Sequence, residues 1–229
     1  MEFEDIFDHV MEKMDGFPSI DYRFKTMRDY INEIEEFLEF THAQKIQRLK
    51  AKIPTIEDPV EKGEMEGELA QPEEDGLEYL SHTIWGGVLV SIFATYESSI
   101  QEIFKFFETK KGKIKFKKEP RKSFIESVEN HSKKNLNIGI FQSRADKLLL
   151  NDLSQLRNSY VHNGCEINSL PNRLQEVIIQ RRYGEYSLGI TDNKWVANAS
   201  NAKLYFKYIY DSFESYSRRS CRVIFDQEN

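Results

Sequence analysis

The chain has 229 residues, of which 39% are hydrophobic and 31% are charged, and its formal net charge is −6. This length and composition suit one sizeable water-exposed domain and exclude a disulfide framework, because the only cysteines are Cys165 and Cys221. The longest apolar stretch, residues 84–94, is too short to span a bilayer, and the acidic residues after Met1 are unlike a signal peptide. We therefore expect a cytoplasmic protein.

The negative charge is concentrated in one segment. Residues 54–76 hold nine acidic residues and one lysine, a net charge of −8, so the rest of the chain carries +2. Residues 105–122 hold nine basic residues and two acidic ones, a net charge of +7. Because a phosphate backbone responds to local potential, the overall charge does not exclude an RNA partner.

The N-terminal part is predicted to be helical. Apolar residues spaced by three and four predict a long helix from about Asp21 to Lys50, and a shorter helix is predicted around Asp5–Met14. The acidic segment 54–76 contains three prolines and three glycines, a composition typical of a flexible loop. The predicted organisation is an N-terminal helical arm (1–53), an acidic loop (54–76) and a helical bundle (77–229) on which the arm packs.

A second long helix is predicted from about Leu77 to Gly112. Its apolar stripe is Trp85, Leu89, Ile92, Tyr96, Ile100, Ile103 and Phe107. Pro120 is expected in the first turn of a third helix that runs to about His131, and residues 135–141 are expected to be a connection.

Ser143 is a suitable N-cap for a fourth helix, which is expected to end near His162–Gly164. A short helix is predicted from Pro171 through Ile179, a small hairpin within 184–196, and a last helix over about 200–220. The predicted fold class is all-α: an up-and-down helical bundle with a long N-terminal helix and a small β-hairpin before the last helix.

The most informative run is Arg157-Asn158-Ser159-Tyr160-Val161-His162, followed by Asn163-Gly164, at the end of the fourth predicted helix. It resembles the HEPN superfamily, whose ribonucleases carry an Arg, often a polar residue after it, and a His four to six positions later. Within that superfamily the chain resembles RiboL-PSP-HEPN-like proteins, over about residues 77–216. The resemblance implies a HEPN-like bundle and a homodimer in which two motif helices form one composite site.

The resemblance implies a metal-independent endoribonuclease with Arg157 and His162 as catalytic residues. The RNA 2′-hydroxyl attacks the adjacent phosphate, imidazole transfers protons near neutral pH, and a guanidinium stabilises the charged transition state. Asn158 and Glu97 are supporting candidates. The candidates for RNA binding are the basic residues Lys113, Lys115, Lys117, Lys118 and Arg121. No metal-binding motif is present, the five histidines are scattered, and no cofactor is expected.

The spacing of the motif places a condition on this site. Five residues along an ideal helix rotate the side chain by about 140°, so Arg157 and His162 do not share a helix face. Their pairing within one chain is favoured if His162 lies where the helix unwinds before Gly164.

Two readings of the function remain open. In the first, the chain is a toxin or an antiphage-defence effector that cleaves tRNA or other RNA, with an antitoxin or a defence protein as partner. In the second, it is a non-catalytic HEPN-like RNA-binding or protein-interaction subunit of a defence or regulatory complex. Apart from both, a purely structural interpretation pairs Arg157 with an acid such as Asp152 or Glu166, makes His162 a helix-end cation, and makes the basic run a solvated loop and helix end. Cys165 has no partner base at a recognisable spacing and is interpreted as an ordinary thiol.

Overall fold

The computed structural model describes residues 18–70, 77–112, 115–141, 143–179, 189–191 and 193–225. These residues form seven α-helices, two short 3₁₀-helices (Ile53–Thr55 and Ile167–Ser169) and one two-stranded hairpin. In chain order the elements are α1 (Pro18–Lys52), α2 (Pro59–Ala70), α3 (Leu77–Lys111), α4 (Phe124–Leu136), α5 (Arg144–Asn163), α6 (Asn172–Ile179), β1 (Gly189–Thr191), β2 (Lys194–Val196) and α7 (Ala199–Phe225).

The four long helices α1, α3, α5 and α7 run alternately up and down, with α3 packed against the other three. Arg23 near the start of α1 pairs with Glu102 near the end of α3 at 2.7 Å, which indicates that these helices are antiparallel. Near the end of α5, Tyr160 donates a hydrogen bond to the carbonyl of Thr83, near the start of α3, at 2.7 Å. The prediction of an all-α helical bundle is confirmed.

The core contains the apolar stripes that the sequence predicts. The seven stripe residues of α3 are at most 3% exposed, because helical spacing places them on the faces that meet α1, α5 and α7. On α1, Ile20, Phe24 and Ile31 are buried. The ring of Phe24 packs 4.9 Å from that of Phe213 on α7, so α1 contributes directly to the core.

Two helices begin at serines whose side chains cap them. Ser123 caps α4 and Ser143 caps α5, and in each case the acid three residues later completes a capping box. The N-cap of α5 was predicted, but the start of α4 at Pro120 was wrong: Pro120 lies in the preceding turn. Helix α4 also runs to Leu136, beyond the predicted end, and Asn137 closes it in the left-handed conformation.

The prediction of a flexible loop over 54–76 is wrong for residues 59–70, which form α2. Asp58 accepts a hydrogen bond from the backbone N–H of Val60 at 2.9 Å, and Pro59 occupies the first helical position. Proline is compatible with that position because its missing N–H would have no helical partner there. Residues 71–76 lie outside the described residues.

The predicted hairpin is present as strands β1 and β2, which pair antiparallel with Ile190 opposite Trp195. Residues 184–188 of the predicted hairpin and the short helix predicted around Asp5–Met14 lie outside the described residues. Among the helices that the structure describes, none has the length and apolar character required to cross a membrane.

Candidate functional site

The motif helix α5 approaches α3 very closely at its carboxyl end. A Cβ atom added to Gly86 of α3 would lie 2.1 Å from Cε2 of Tyr160, a separation that real atoms do not tolerate. The hydroxyl of Tyr160 reaches the carbonyl of Thr83 in the same region. This contact fixes the rotation of α5, and with it the directions of Arg157 and His162.

The hairpin holds the end of the motif helix. Gly164 closes α5 with a φ of +58°, and the next residue, Cys165, accepts a hydrogen bond from the backbone N–H of Trp195 at 3.0 Å. The indole Nε1 of Trp195, which is 1% exposed, donates to Oγ of Ser159 within the motif at 3.0 Å. Residues about thirty positions downstream therefore position the last turn of α5.

Arg157 is half-buried between α5 and α3. Its Nη2 lies 3.7 Å from Oε2 of Glu97, close enough for an ion pair but too far for a hydrogen bond. Its Nη1 donates to Oδ1 of Asn158 at 3.0 Å, and its Cζ lies 5.9 Å from the ring centroid of Phe93. The Nε atom is buried with no hydrogen-bond partner among the described residues. Since Nε is buried, an external acceptor can be bound only by the Nη groups, which keep N–H donors beyond the one given to Asn158.

Glu97 connects Arg157 to the basic loop before α4. Burial raises the pKa of the Glu97 carboxyl above 4.5, while the charges of Arg157 and Lys118 act in the opposite direction. Lys118 is thus close enough for its charge to act on Glu97. The structure brings together Arg157, Asn158 and Glu97, which were predicted as catalytic or supporting residues, and the RNA-binding candidate Lys118 acts on this group through its charge.

His162 lies in the last turn of α5 and is exposed. The helix continues through Asn163, so it does not unwind at His162, and the condition that favours pairing within one chain is not met. The Gly164 cap keeps residue 162 within regular helix, and the two side chains therefore leave α5 in directions that differ by about 140°. One copy of the chain does not bring Arg157 and His162 together on one face.

The other RNA-binding candidates are spread over the surface. Lys115 lines a groove of about 840 Å³ together with Arg23, Glu102 and Lys105. Lys117 and Arg121 are exposed, and Arg121 has a φ of +66° in the turn before α4. Lys113 lies outside the described residues. Phe116 anchors this loop, with its ring 5.1 Å from that of Phe104 on α3.

Of the alternative partners expected for Arg157, the buried Asp152 pairs instead with Arg173 of α6. The backbone of Glu166 forms a β-bridge with Lys194. Burial raises the pKa of Cys165 to about 11, which agrees with an ordinary thiol. Among the described residues no group of three or more His, Cys, Asp or Glu side chains is arranged to hold a metal ion.

Two features of the site were not found from the sequence. The contact between Gly86 and Tyr160 had a signal, since two adjacent glycines inside a strong helical pattern indicate close packing. The hydrogen bonds that Ser159 makes with Trp195 and with Ser169, the latter at 2.8 Å, had none, because they join residues that only the fold brings together.

No protein-family model, curated protein or solved structure matches the chain.

Proposed function

We propose that this chain is a metal-independent endoribonuclease of the HEPN type, in which Arg157 binds the scissile phosphate and His162 transfers protons. The observation that carries the proposal is the state of Arg157. Its guanidinium is held by Glu97, Phe93 and Asn158, and it reaches solvent with 32% of its side chain exposed. A positioned arginine of this kind suits a phosphate oxygen.

The active unit in this proposal is a homodimer. Arg157 and His162 point in different directions on one helix, so a second copy is needed to supply the missing group. The outward face of α5 supports self-association because it is poor in charge over most of its length. After Arg144, the residues at helical spacing on this face are Leu148, Asn151, Gln155, Asn158 and His162. Charged residues are depleted at the cores of protein interfaces.

In this site the 2′-hydroxyl of RNA attacks the adjacent phosphorus, and the bond to the 5′-oxygen of the next nucleotide breaks. His162 accepts the hydroxyl proton or donates a proton to the leaving oxygen, and Arg157 balances the added negative charge. Asn158 orients the guanidinium through Oδ1, and Glu97 limits its movement. The products are a 2′,3′-cyclic phosphate and a free 5′-hydroxyl.

The test is cleavage of a labelled RNA in EDTA, with the ends identified by mass spectrometry. Wild-type protein is expected to yield cyclic-phosphate ends, and Arg157→Ala and His162→Ala are each expected to lower the rate by at least about 100-fold. Val161→Ala is the matched control, because Val161 is 50% exposed next to His162 and has no proposed role in the reaction. Equal cleavage by wild type and His162→Ala would refute the proposal.

The biological role that fits this activity is a toxin or an antiphage-defence effector acting on tRNA or other cellular RNA, restrained by an antitoxin or a defence partner. Expression in a bacterial host is then expected to slow growth, and His162→Ala is expected to relieve the effect. Unchanged toxicity of both Arg157→Ala and His162→Ala would show that growth inhibition does not result from RNA cleavage.

A second function, a non-catalytic RNA-binding or interaction subunit, is favoured by one observation. Arg157 already has two polar neighbours within its own chain, Asn158 and Glu97. In that case the isolated protein binds RNA or a partner protein without cutting RNA. Binding of the labelled RNA without cleavage over hours, in dimeric protein, is the result that selects this function.

A further inference from the structure

A basic groove lies between the C-terminal half of α1 and helix α2. It encloses about 360 Å³ and is lined by Phe40, Thr41, Gln44, Lys45, Arg48, Leu49, Lys52 and Glu68. Residues 41–52 contain four basic residues and no acidic one. Three of these cations, Lys45, Arg48 and Lys52, face the groove within about 11 Å along the helix axis.

Helix α2 supplies the opposite charge. It holds four glutamates and one lysine, and two of the glutamates reach across to α1. Glu68 pairs with Lys45 at 2.7 Å, and Glu61 lies 3.7 Å from Lys52. Carboxylates of α2 therefore occupy the positions at which the groove would hold the oxygens of an anionic ligand.

Helix α2 is held on the bundle without a buried core of its own. None of its residues is buried, and a Cβ atom added to Gly63 or Gly67 would meet nothing within 4 Å. A glycine without a packing role costs a helix about 0.5–1 kcal/mol relative to alanine. Partly exposed ion pairs such as those of Glu61 and Glu68 contribute at most about 1 kcal/mol each and are screened by salt. A competing anion can therefore displace these carboxylates.

We propose that this groove is a binding site for single-stranded RNA, whose phosphates replace the Glu61 and Glu68 carboxylates on Lys45, Arg48 and Lys52. Arg48 is exposed and offers a planar set of donors to a phosphate. Phe40 is 64% exposed at the edge of the same groove, where a base can stack on its ring. An aromatic ring beside a row of cations suits a single strand better than a duplex.

The position of the groove relates it to the motif helix. Helices α1 and α3 are antiparallel from the Arg23–Glu102 pair onward, so the C-terminal half of α1 runs towards the beginning of α3. The end of α5 contacts α3 at Thr83, near that same beginning. The proposal rests on the proposed function in taking RNA as the ligand, and it places the groove at the end of the bundle that carries His162.

The experiment measures binding of a fluorescein-labelled, unstructured RNA by anisotropy at several salt concentrations. All proteins carry His162→Ala so that the RNA stays intact. The test variant is Glu61→Gln with Glu68→Gln. The matched control is Glu64→Gln with Glu66→Gln, which removes the same charge from the same helix but leaves the Lys45–Glu68 and Lys52–Glu61 pairs in place. Circular dichroism checks that both variants keep their helix content.

The test variant is expected to bind RNA at least about fivefold more tightly than the control. Its plot of log binding constant against log salt concentration is expected to be steeper by about 1.4, or about 0.7 for each of the two lysines freed from a glutamate. Arg48→Glu is expected to weaken binding at least tenfold. Equal RNA affinities of the two double variants overturn the proposal. The proposal is also overturned if the test variant gains as much affinity for polyglutamate as for RNA, because the groove would then be assigned to an acidic protein. The assay measures RNA binding alone. Its result therefore stands even if the protein proves not to cleave RNA, and equal affinities of the two double variants would not refute the nuclease proposal.

Discussion

The ring of Tyr160 occupies the space in which any side chain on Gly86 would lie: a Cβ atom there would be 2.1 Å from Cε2. The absence of a side chain at residue 86 allows α5 to settle onto α3 and allows the Tyr160 hydroxyl to reach the carbonyl of Thr83. The orientation of Arg157 and His162 depends on this approach, because both are carried by the same helix as Tyr160.

Gly86→Ala is expected to destabilise the protein by about 1–3 kcal/mol, because the new methyl group must push Tyr160 out of its site. Gly87→Ala is the matched control. Its Cβ atom would lie 3.9 Å from the Tyr160 hydroxyl, an ordinary contact, and alanine favours the helix by up to about 1 kcal/mol. Urea unfolding measures both, and equal stability of the two variants would show that the close approach is absent in solution.

The stability of the protein is expected to depend on the ionisation of Glu97. Burial raises the pKa of this carboxyl in the folded state, so the folded chain binds more protons than the unfolded chain above pH 4.5. The contribution of Glu97 to the free energy of unfolding is therefore fully present below pH 4.5 and is lost as pH rises through the raised pKa.

Glu97→Gln removes this titration, so its free energy of unfolding is expected to fall less than that of the wild type as pH rises from about 4.5 to 7. Glu102→Gln, on the same helix, is the control for removing one charge. Parallel pH profiles for wild type and Glu97→Gln would mean that the carboxyl titrates as it does in the unfolded chain.

A composite site predicts complementation between two inactive variants. Purified Arg157→Ala and His162→Ala are each expected to be inactive, and mixing them under conditions that allow exchange is expected to restore RNA cleavage. Each mixed dimer contains one Arg157 and one His162, and random exchange places about half of the chains in such dimers. Mixing two preparations of the same variant is the control, and a mixture as inactive as its components argues against a shared site.

Cys165 is expected to react slowly with alkylating reagents. With a pKa of about 11, which burial raises, about one thiol in a thousand is ionised at pH 8. Labelling by iodoacetamide in a Cys221→Ser background is therefore expected to be at least tenfold slower than labelling of free cysteine, with the urea-unfolded protein as control. Labelling of the folded protein as fast as that of the unfolded protein would contradict the burial of this thiol.

The sequence was sufficient for the elements whose pattern is local. The stripes of α1 and α3 predict those helices because apolar residues recur at helical spacing, and Ser143 and Gly164 mark both ends of α5 through cap chemistry. The sequence did not predict α2, because its glycines, prolines and acidic residues have a composition typical of a loop. That helix is supported by Asp58 at its start and by cations of α1, which no local pattern reveals.

For the candidate site, the sequence supplied the residues but not their arrangement. The spacing of Arg157 and His162 gives the angle between them, yet whether the helix persists to His162 depends on the cap at Gly164 and on the hairpin. The neighbours of Arg157 on α3, Glu97 and Phe93, lie about sixty positions earlier in the chain. Only tertiary packing selects Glu97 over the nearer acid Asp152, which pairs with Arg173.

The hydrogen bond from Trp195 to Ser159 has a practical consequence for spectroscopy. The chain has only two tryptophans, and both Trp85 and Trp195 are at most 2% exposed. Intrinsic fluorescence of the native protein should therefore be blue-shifted, and Trp195, whose indole N–H bonds directly to the motif helix, should respond when that helix engages a ligand. A Trp85→Phe variant would leave a single emitter, so events at the end of α5 could be followed in real time without attaching a dye.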